Sequence, residues 1–436
     1  MPKLSLHRLR KRVRRTYTGA RNAVRLVRGN RFTAPYETPY ELALRVDFLR
    51  LRHYAQQPQS TKDAPTPICA DPILLVPPLM VTSQVYDISP PLSVVKFLRD
   101  QGLDVWLADF GTPEAETGGM ARTLDDHIHA LDRSITHIAT TTGRNVHLAG
   151  YSQGGMFVYQ VAAYRGCKNI LSLVTFGSPV DLQKNTPTPI NRGLMANVTG
   201  VVRSVADGAL NALPGIPGMF SSLGFKLMSP AQEIKYLRMM LGILDDREAL
   251  ERLEPMRRFL GGEGFVAWPG PAFRSFVDDM IVHNRMMNGG FVIGGKTLSL
   301  AAIDVPVLCV YGARDQFAQP RAVRAIARVV GEPAPVLEQV VDAGHFGLVV
   351  GSRALREVWP NVARWMLWHA DRGPMPVDFV TAKPAGASAT RPTAAPVPKR
   401  DDSLDTLAQH LLDGVWDQAG VTMRDVTQSA RWLRWQ

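Results

Sequence analysis

Cysteine is scarce: the chain has three in 436 residues, Cys69, Cys167 and Cys309, far apart and without Cys-x-x-Cys or Cys/His ligand spacing. That excludes a disulfide framework and any zinc site readable from sequence. Nowhere do about eighteen apolar residues run together, so no segment reads as a membrane-crossing helix. The basic start is not followed by an apolar stretch of signal-peptide length, and the expectation is a soluble, cytoplasmic body. Neither a glycine-rich nucleotide loop nor metal-ligand spacing is present, so no cofactor and no metal are expected. Acids are missing from the start of the chain, where eleven bases, from Lys3 to Arg31, precede the first one, Glu37. Without those eleven, bases and acids number 39 each. The net charge of +11 therefore belongs to one arm, which argues against a body-wide nucleic-acid surface and against a nucleic-acid partner.

What is present is 45% hydrophobic and 20% charged, enough to bury a large core. Residues 1–31 form the basic arm, in which Leu6, Leu9, Val13, Tyr17, Ala20, Val24 and Val27 recur every three or four residues. This spacing predicts an amphipathic helix with arginines over the rest of its surface. Two readings stay open: adsorption to an anionic membrane or lipid-particle surface, making the protein peripherally membrane-bound, or docking on its own body. An Arg-rich, acid-free start also resembles an organelle transit peptide.

From about residue 45 short apolar runs alternate with helical periodicity, the pattern of a mainly parallel sheet covered on both faces. Leu49 and Leu51 alternate with Arg50 and Arg52 as in a half-exposed edge strand. Buried strands are predicted at Ile73–Val76, Val105–Ala108, Val146–Gly150, Ile170–Phe176, Val307–Tyr311 and Val336–Val341. Thr123 and Asp126 have capping-box spacing ahead of a helix whose apolar face runs from Leu124 to Ile138. His127, His129 and His137 share no helical face and read as surface, whereas His147 reads as core. These features place the core in residues 38–180 and 301–372. An insertion of helices and loops fills 181–300, and its uncharged, Gly/Pro-rich stretch Gly208–Phe225 reads as an apolar cap over a site. A Pro/Ala-rich linker, 373–401, and an amphipathic helical tail, 402–436, follow.

The chemistry concentrates in Gly150-Tyr151-Ser152-Gln153-Gly154, a G-x-S-x-G sequence between an apolar strand and a helical stretch. A serine on so tight a strand-to-helix turn is strained and needs minimal neighbours, which Gly150 and Gly154 supply. A serine hydroxyl is a weak nucleophile until a base, itself oriented by an acid, activates it. In this architecture the two partners follow in the order acid, then histidine, on loops just past later strands. Asp315 follows Val307–Tyr311 and His345 follows Val336–Val341, so Ser152, His345 and Asp315 are the expected triad. Asp342 is the reserve acid, poorly placed three residues before the histidine. For the oxyanion, one donor is the N–H of Gln153. The other belongs to the loop after Ile73–Val76, where Pro77 and Pro78 have no N–H, leaving Leu79 or Met80.

With these residues the chain resembles the polyhydroxyalkanoate synthases of the α/β-hydrolase superfamily. The resemblance rests on Leu75-Val76-Pro77-Pro78, Val105-Trp106-Leu107-Ala108-Asp109, Thr123-Leu124-Asp125-Asp126, Gly150 to Gly155, Asp315 with Pro320, and Gly344-His345. Trp268 to Gly295, with Asn284 and Gly289-Gly290, looks like the segment that re-enters that family's core. The resemblance spans roughly 70–180 and 265–370 and implies an α/β-hydrolase fold with an inserted helical cap. It also implies cysteine at the elbow, where this chain has Ser152. A thioester-held chain passes readily to a hydroxyl or to another thiol. A seryl ester passes readily to water or an alcohol, but its return to a thiol is uphill. The expectation is therefore serine-dependent acyl transfer or hydrolysis on a lipid-like or hydroxyacyl ester or thioester, acyl-CoA included. The alternative is an inactive scaffold that keeps the fold on a membrane or lipid particle.

Overall fold

The computed structural model describes residues 6–29, 31–55, 71–185, 215–218, 222, 238–332 and 334–382. Cys69, the tail 402–436 and most of the linker and of Gly208–Phe225 lie outside these residues.

Helix α1 spans Leu6–Val27. It is followed by strands β1 (Glu41–Val46), β2 (Leu49–Tyr54) and β3 (Pro72–Val76), helix α2 (Val94–Asp100), β4 (Asp104–Asp109) and helix α3 (Leu124–Thr142). Then come β5 (Val146–Tyr151), helix α4 (Gln153–Arg165) and β6 (Ile170–Phe176). Within the insertion, β7 (Gly215–Ile216) pairs with β8 (Trp268–Pro269), helix α5 covers Arg247–Arg258, and β9 (Phe291–Ile293) forms a hairpin with β10 (Lys296–Leu298). The core resumes with β11 (Val307–Gly312), β12 (Val336–Val341), helix α6 (Trp359–His369) and β13 (Val380–Thr381). Nine strands form one sheet in the order β1-β2-β4-β3-β5-β6-β11-β12-β13, parallel from β4 to β12 and antiparallel at both margins.

Side chains alternate across this sheet because the strand period is two. Leu74, Trp106 and Leu148 point to one face, under α3 and α4, with Ile128, Leu131, Ile135 and Phe157. Ile73, Leu75, Val105 and Leu107 point to the other, under α2 and α6, with Val95, Leu98, Trp359 and Trp365. Burial on both faces is why β3 reads as an unbroken apolar run and β5 as one broken only by buried His147. α3 begins at the expected box: Thr123 Oγ1 accepts the Asp126 N–H at 3.1 Å, and Asp126 Oδ2 accepts the Thr123 N–H at 2.8 Å.

Four readings change. β2 is not an edge strand: it lies between β1 and β4, with Leu49 and Leu51 buried and Arg50 and Arg52 half-buried. His127 is core, not surface; its ring sits among Phe48, Phe110 and Phe157, and its Nδ1–H donates to the Thr123 carbonyl at 2.6 Å. His129 and His137 are half-buried rather than exposed. Among the described residues the insertion holds two antiparallel strand pairs, of two and three residues, too short to leave an alternation in the sequence.

Candidate active site

β5 is buried throughout and ends at Tyr151; α4 starts at Gln153, so the chain reverses at one residue. That residue, Ser152, has φ 54° and ψ −120°, and its N–H donates to the Phe176 carbonyl on β6 at 2.8 Å. Such backbone is costly for a side-chain-bearing residue and persists only where the surroundings hold it. They do so by close approach: a Cβ on Gly150 would lie 2.5 Å from the Gly154 carbonyl oxygen, and one on Gly154 would lie 2.2 Å from that of Val76. Both glycines are needed for space.

His345 opens the turn after β12, and its Nε2 is 2.9 Å from Ser152 Oγ. Its Nδ1 is 2.7 Å from Asp315 Oδ2, in the loop after β11. A carboxylate only accepts, so Nδ1 carries the proton and Nε2 is left to accept the Ser152 hydroxyl. Asp315 Oδ1 takes the N–H groups of Phe317 and Ala318, each at 2.8 Å, which fixes the buried carboxylate in place. The three expected residues are thus brought together. Asp342 is not part of the group; its side chain is 68% exposed and pairs with Arg314 and Arg353.

Three aromatic rings wall the imidazole: Tyr151 at 5.0 Å between centroids, Phe317 at 5.4 Å and Phe346 at 6.3 Å. Burial, with Asp315 nearby, pushes the Tyr151 hydroxyl well above its ordinary range, so the ring adds no competing charge. Sequence reading singled out none of the three for a role, because an aromatic residue beside a motif looks like core. A further support spans the chain: Asn185 donates to the Phe317 carbonyl and accepts the Gln319 N–H at 2.8 Å, tying the exit of β6 to the acid loop. Asn284, at φ 48°, accepts the Leu182 N–H and donates to Asp181, both at 3.0 Å, and so anchors the returning insertion to the same exit. Nothing local in the sequence signals contacts so remote.

Of the expected oxyanion donors, Gln153 is the first residue of α4, a position whose N–H has no acceptor within the helix. The Leu79 N–H donates to the Gln153 side-chain oxygen at 3.3 Å, and the Met80 N–H has no acceptor among the described residues. The loop bearing both is sewn to the insertion: Val81 bridges Phe265, Thr82 N–H donates to the Gly264 carbonyl at 2.9 Å, and Val266 N–H donates to that of Met80 at 3.1 Å. Cys167 and Cys309 are buried thiols, pushed up by desolvation, away from this group of residues. Among the described residues no three His, Cys, Asp or Glu side chains gather as metal ligands, and no helix is long and apolar enough to cross a membrane.

The sequence pattern of the alpha/beta hydrolase family matches residues 73–359. The chain is similar to the poly(3-hydroxyalkanoate) polymerase subunit PhaC of Allochromatium vinosum, 31% identical over 299 residues that cover 68% of this chain and 80% of that one. The chain belongs to the alpha/beta hydrolase family, as a polyhydroxyalkanoate synthase-like member. It is also similar to the PhaC subunit of Synechocystis sp., at 26% identity over 76% of this chain and 84% of the relative. Among solved structures, a monoacylglycerol lipase from Paleococcus ferrophilus aligns at 17% identity and a TM-score of 0.42, covering 68% of this chain and 94% of the other. Membership makes the chain an α/β-hydrolase-fold enzyme related to polyhydroxyalkanoate synthases, with acyl-transfer or esterase-type chemistry.

Proposed function

We propose that the enzyme works through a seryl acyl-enzyme on a lipid-like or hydroxyacyl ester or thioester, acyl-CoA among the substrates. His345 Nε2 takes the Ser152 proton as Oγ attacks the acyl carbon, and Asp315 stabilises the imidazolium. The tetrahedral oxyanion is held by the N–H of Gln153 together with that of Met80, or of Leu79 once the Gln153 side chain releases it. Collapse expels the alcohol or thiol, protonated by His345. Water or an alcohol, deprotonated by the same imidazole, then attacks the ester and frees Ser152.

The observation that carries this reading is the relay of 2.9 Å and 2.7 Å from Ser152 Oγ through the imidazole to Asp315. A scaffold without turnover would have no use for so complete a relay. Serine rather than cysteine at position 152 favours oxygen acceptors, because the seryl ester lies downhill of a thioester. Hydrolysis or transfer to an alcohol follows more readily than return to a thiol.

A fluorophosphonate probe should label the wild type and leave Ser152→Ala unlabelled. Labelling that persists in the variant, or a folded wild type that takes no label, rejects the assignment. Product analysis with acyl-CoA and p-nitrophenyl acyl esters, with and without an added alcohol, then identifies the acceptor.

A further inference from the structure

Helix α1 has two working faces. One is pressed on the insertion: buried Asn22 donates to the Leu244 carbonyl at 2.8 Å, and Gly19 lies against Leu244. Leu26 joins Phe32, Met240 and Leu250 in a small apolar cluster. At 100° per residue, Gly19, Asn22 and Leu26 share one side. The apolar stripe seen in the sequence is on the opposite side. Val13 is 62% exposed, Tyr17 69% and Val24 50%, and Ala20 between them is exposed too. The helix therefore docks through Gly19, Asn22 and Leu26 and leaves the stripe of Val13, Tyr17, Ala20 and Val24 uncovered by any described residue.

Single exposed apolar residues are ordinary, but four aligned along three turns form a patch that calls for an occupant. Arg14, Arg21 and Arg28 flank it, exposed and without an ion pair among the described residues. A second copy of this chain packed on the same stripe would bring these arginines against their equivalents. An anionic surface would instead neutralise them, each base near it adding about 1 kcal/mol. Tyr17 is the kind of residue that settles between headgroups and acyl chains.

We propose that α1 lies in the headgroup region of an anionic phospholipid bilayer, with Val13, Tyr17, Ala20 and Val24 in the acyl boundary and Arg14, Arg21 and Arg28 against phosphates. This rests on the faces of α1 alone and is independent of the assignment of Ser152.

The test is flotation of the full chain with vesicles of equal parts phosphatidylglycerol and phosphatidylcholine, beside vesicles of phosphatidylcholine only. The wild type should float with the first and stay at the bottom with the second. Val13→Asp combined with Val24→Asp should weaken that partition by at least about tenfold, as should Arg14→Gln with Arg21→Gln and Arg28→Gln. These side chains are exposed, so thermal unfolding and fluorophosphonate labelling without vesicles should match the wild type and show that each variant is folded. A wild type that does not float, or acidic variants that float unchanged, overturns the proposal. So does a wild-type dimer in sedimentation that the acidic variant abolishes, since the patch would then be a contact between copies.

Discussion

An amide at position 315 would still accept the N–H groups of Phe317 and Ala318 through its remaining oxygen, so the loop after β11 keeps its shape. Its NH2 group would then face His345 Nδ1, leaving that nitrogen as acceptor and moving the proton to Nε2. An imidazole protonated there cannot receive the Ser152 hydrogen. Asp315→Asn is therefore expected to lower kcat/KM on an acyl ester by about 10³- to 10⁴-fold with little change in melting temperature. Asp342→Asn, which only releases exposed pairs with Arg314 and Arg353, should stay within about twofold of wild type. Equal losses in the two variants would remove Asp315 from its role. At this scale Ser152, His345 and Asp315 were legible because their positions follow from strand ends and from glycines that only a close backbone approach demands. The walls around the imidazole and the Asn185 clasp were not: an aromatic residue beside a motif looks like core, and the Tyr151 and Asn185 contacts join residues more than a hundred positions apart.

Among the elements, α3 carries a charge cost that its sequence hides. Burial holds the His127 imidazole down to about 4, against an ordinary 6.5, despite the Thr123 carbonyl that favours its proton. The folded protein thus binds fewer protons than the unfolded chain between those values. The contribution to stability is complete above about pH 6.5 and is lost as the pH falls through about 4, on the order of 3 kcal/mol. Denaturant melts of wild type and His127→Leu should show their stability difference shrinking by that order from about pH 7 to pH 4. A constant difference would mean that His127 is not desolvated. The misreading of His127 has a simple cause: the sequence supplies a helix's period, but not which second face a neighbouring strand pair covers with Phe48 and Phe110. Strands β3 to β6, β11 and β12 were legible to within a residue at each end, because strands covered on both faces are mostly apolar, even with His147, Ser172, Thr175, Glu338 and Gln339 among them. β1 and the short pairs of the insertion were not, having too few residues to establish a period.

At the scale of the whole molecule, α1 rests on the insertion rather than on the central sheet, and much of its hold is ionic. Arg15 pairs with Asp245, Arg31 with Glu263 at 2.8 Å, and Arg258 donates to the Gly29 carbonyl at 2.6 Å. Exposed pairs of this kind are weak and are screened once the Debye length falls to about 3 Å in 1 M salt. Hydrogen exchange in α1 should therefore quicken at high salt while β3, β5 and β6 stay unchanged. Uniform behaviour across both would show that the arm and sheet open together. The segment beneath α1 runs on through Gly264–Val266, which pairs with the loop of Leu79 and Met80, so the arm and that loop belong to one continuous stretch of structure.

Glu254, on α5, is 1% exposed and is shared between Arg258 of its own helix and the hydroxyl of Thr33, just beyond the arm. A protein shortened past Thr33 would strip that carboxylate of one partner and take Phe32 out of its cluster with Met240 and Leu250. The scar would fall on α5 and on the seam that follows it. Any failure of such a truncated enzyme would mix loss of adhesion with loosening beside the reacting group, and only single exchanges on the outward side of α1 separate the two.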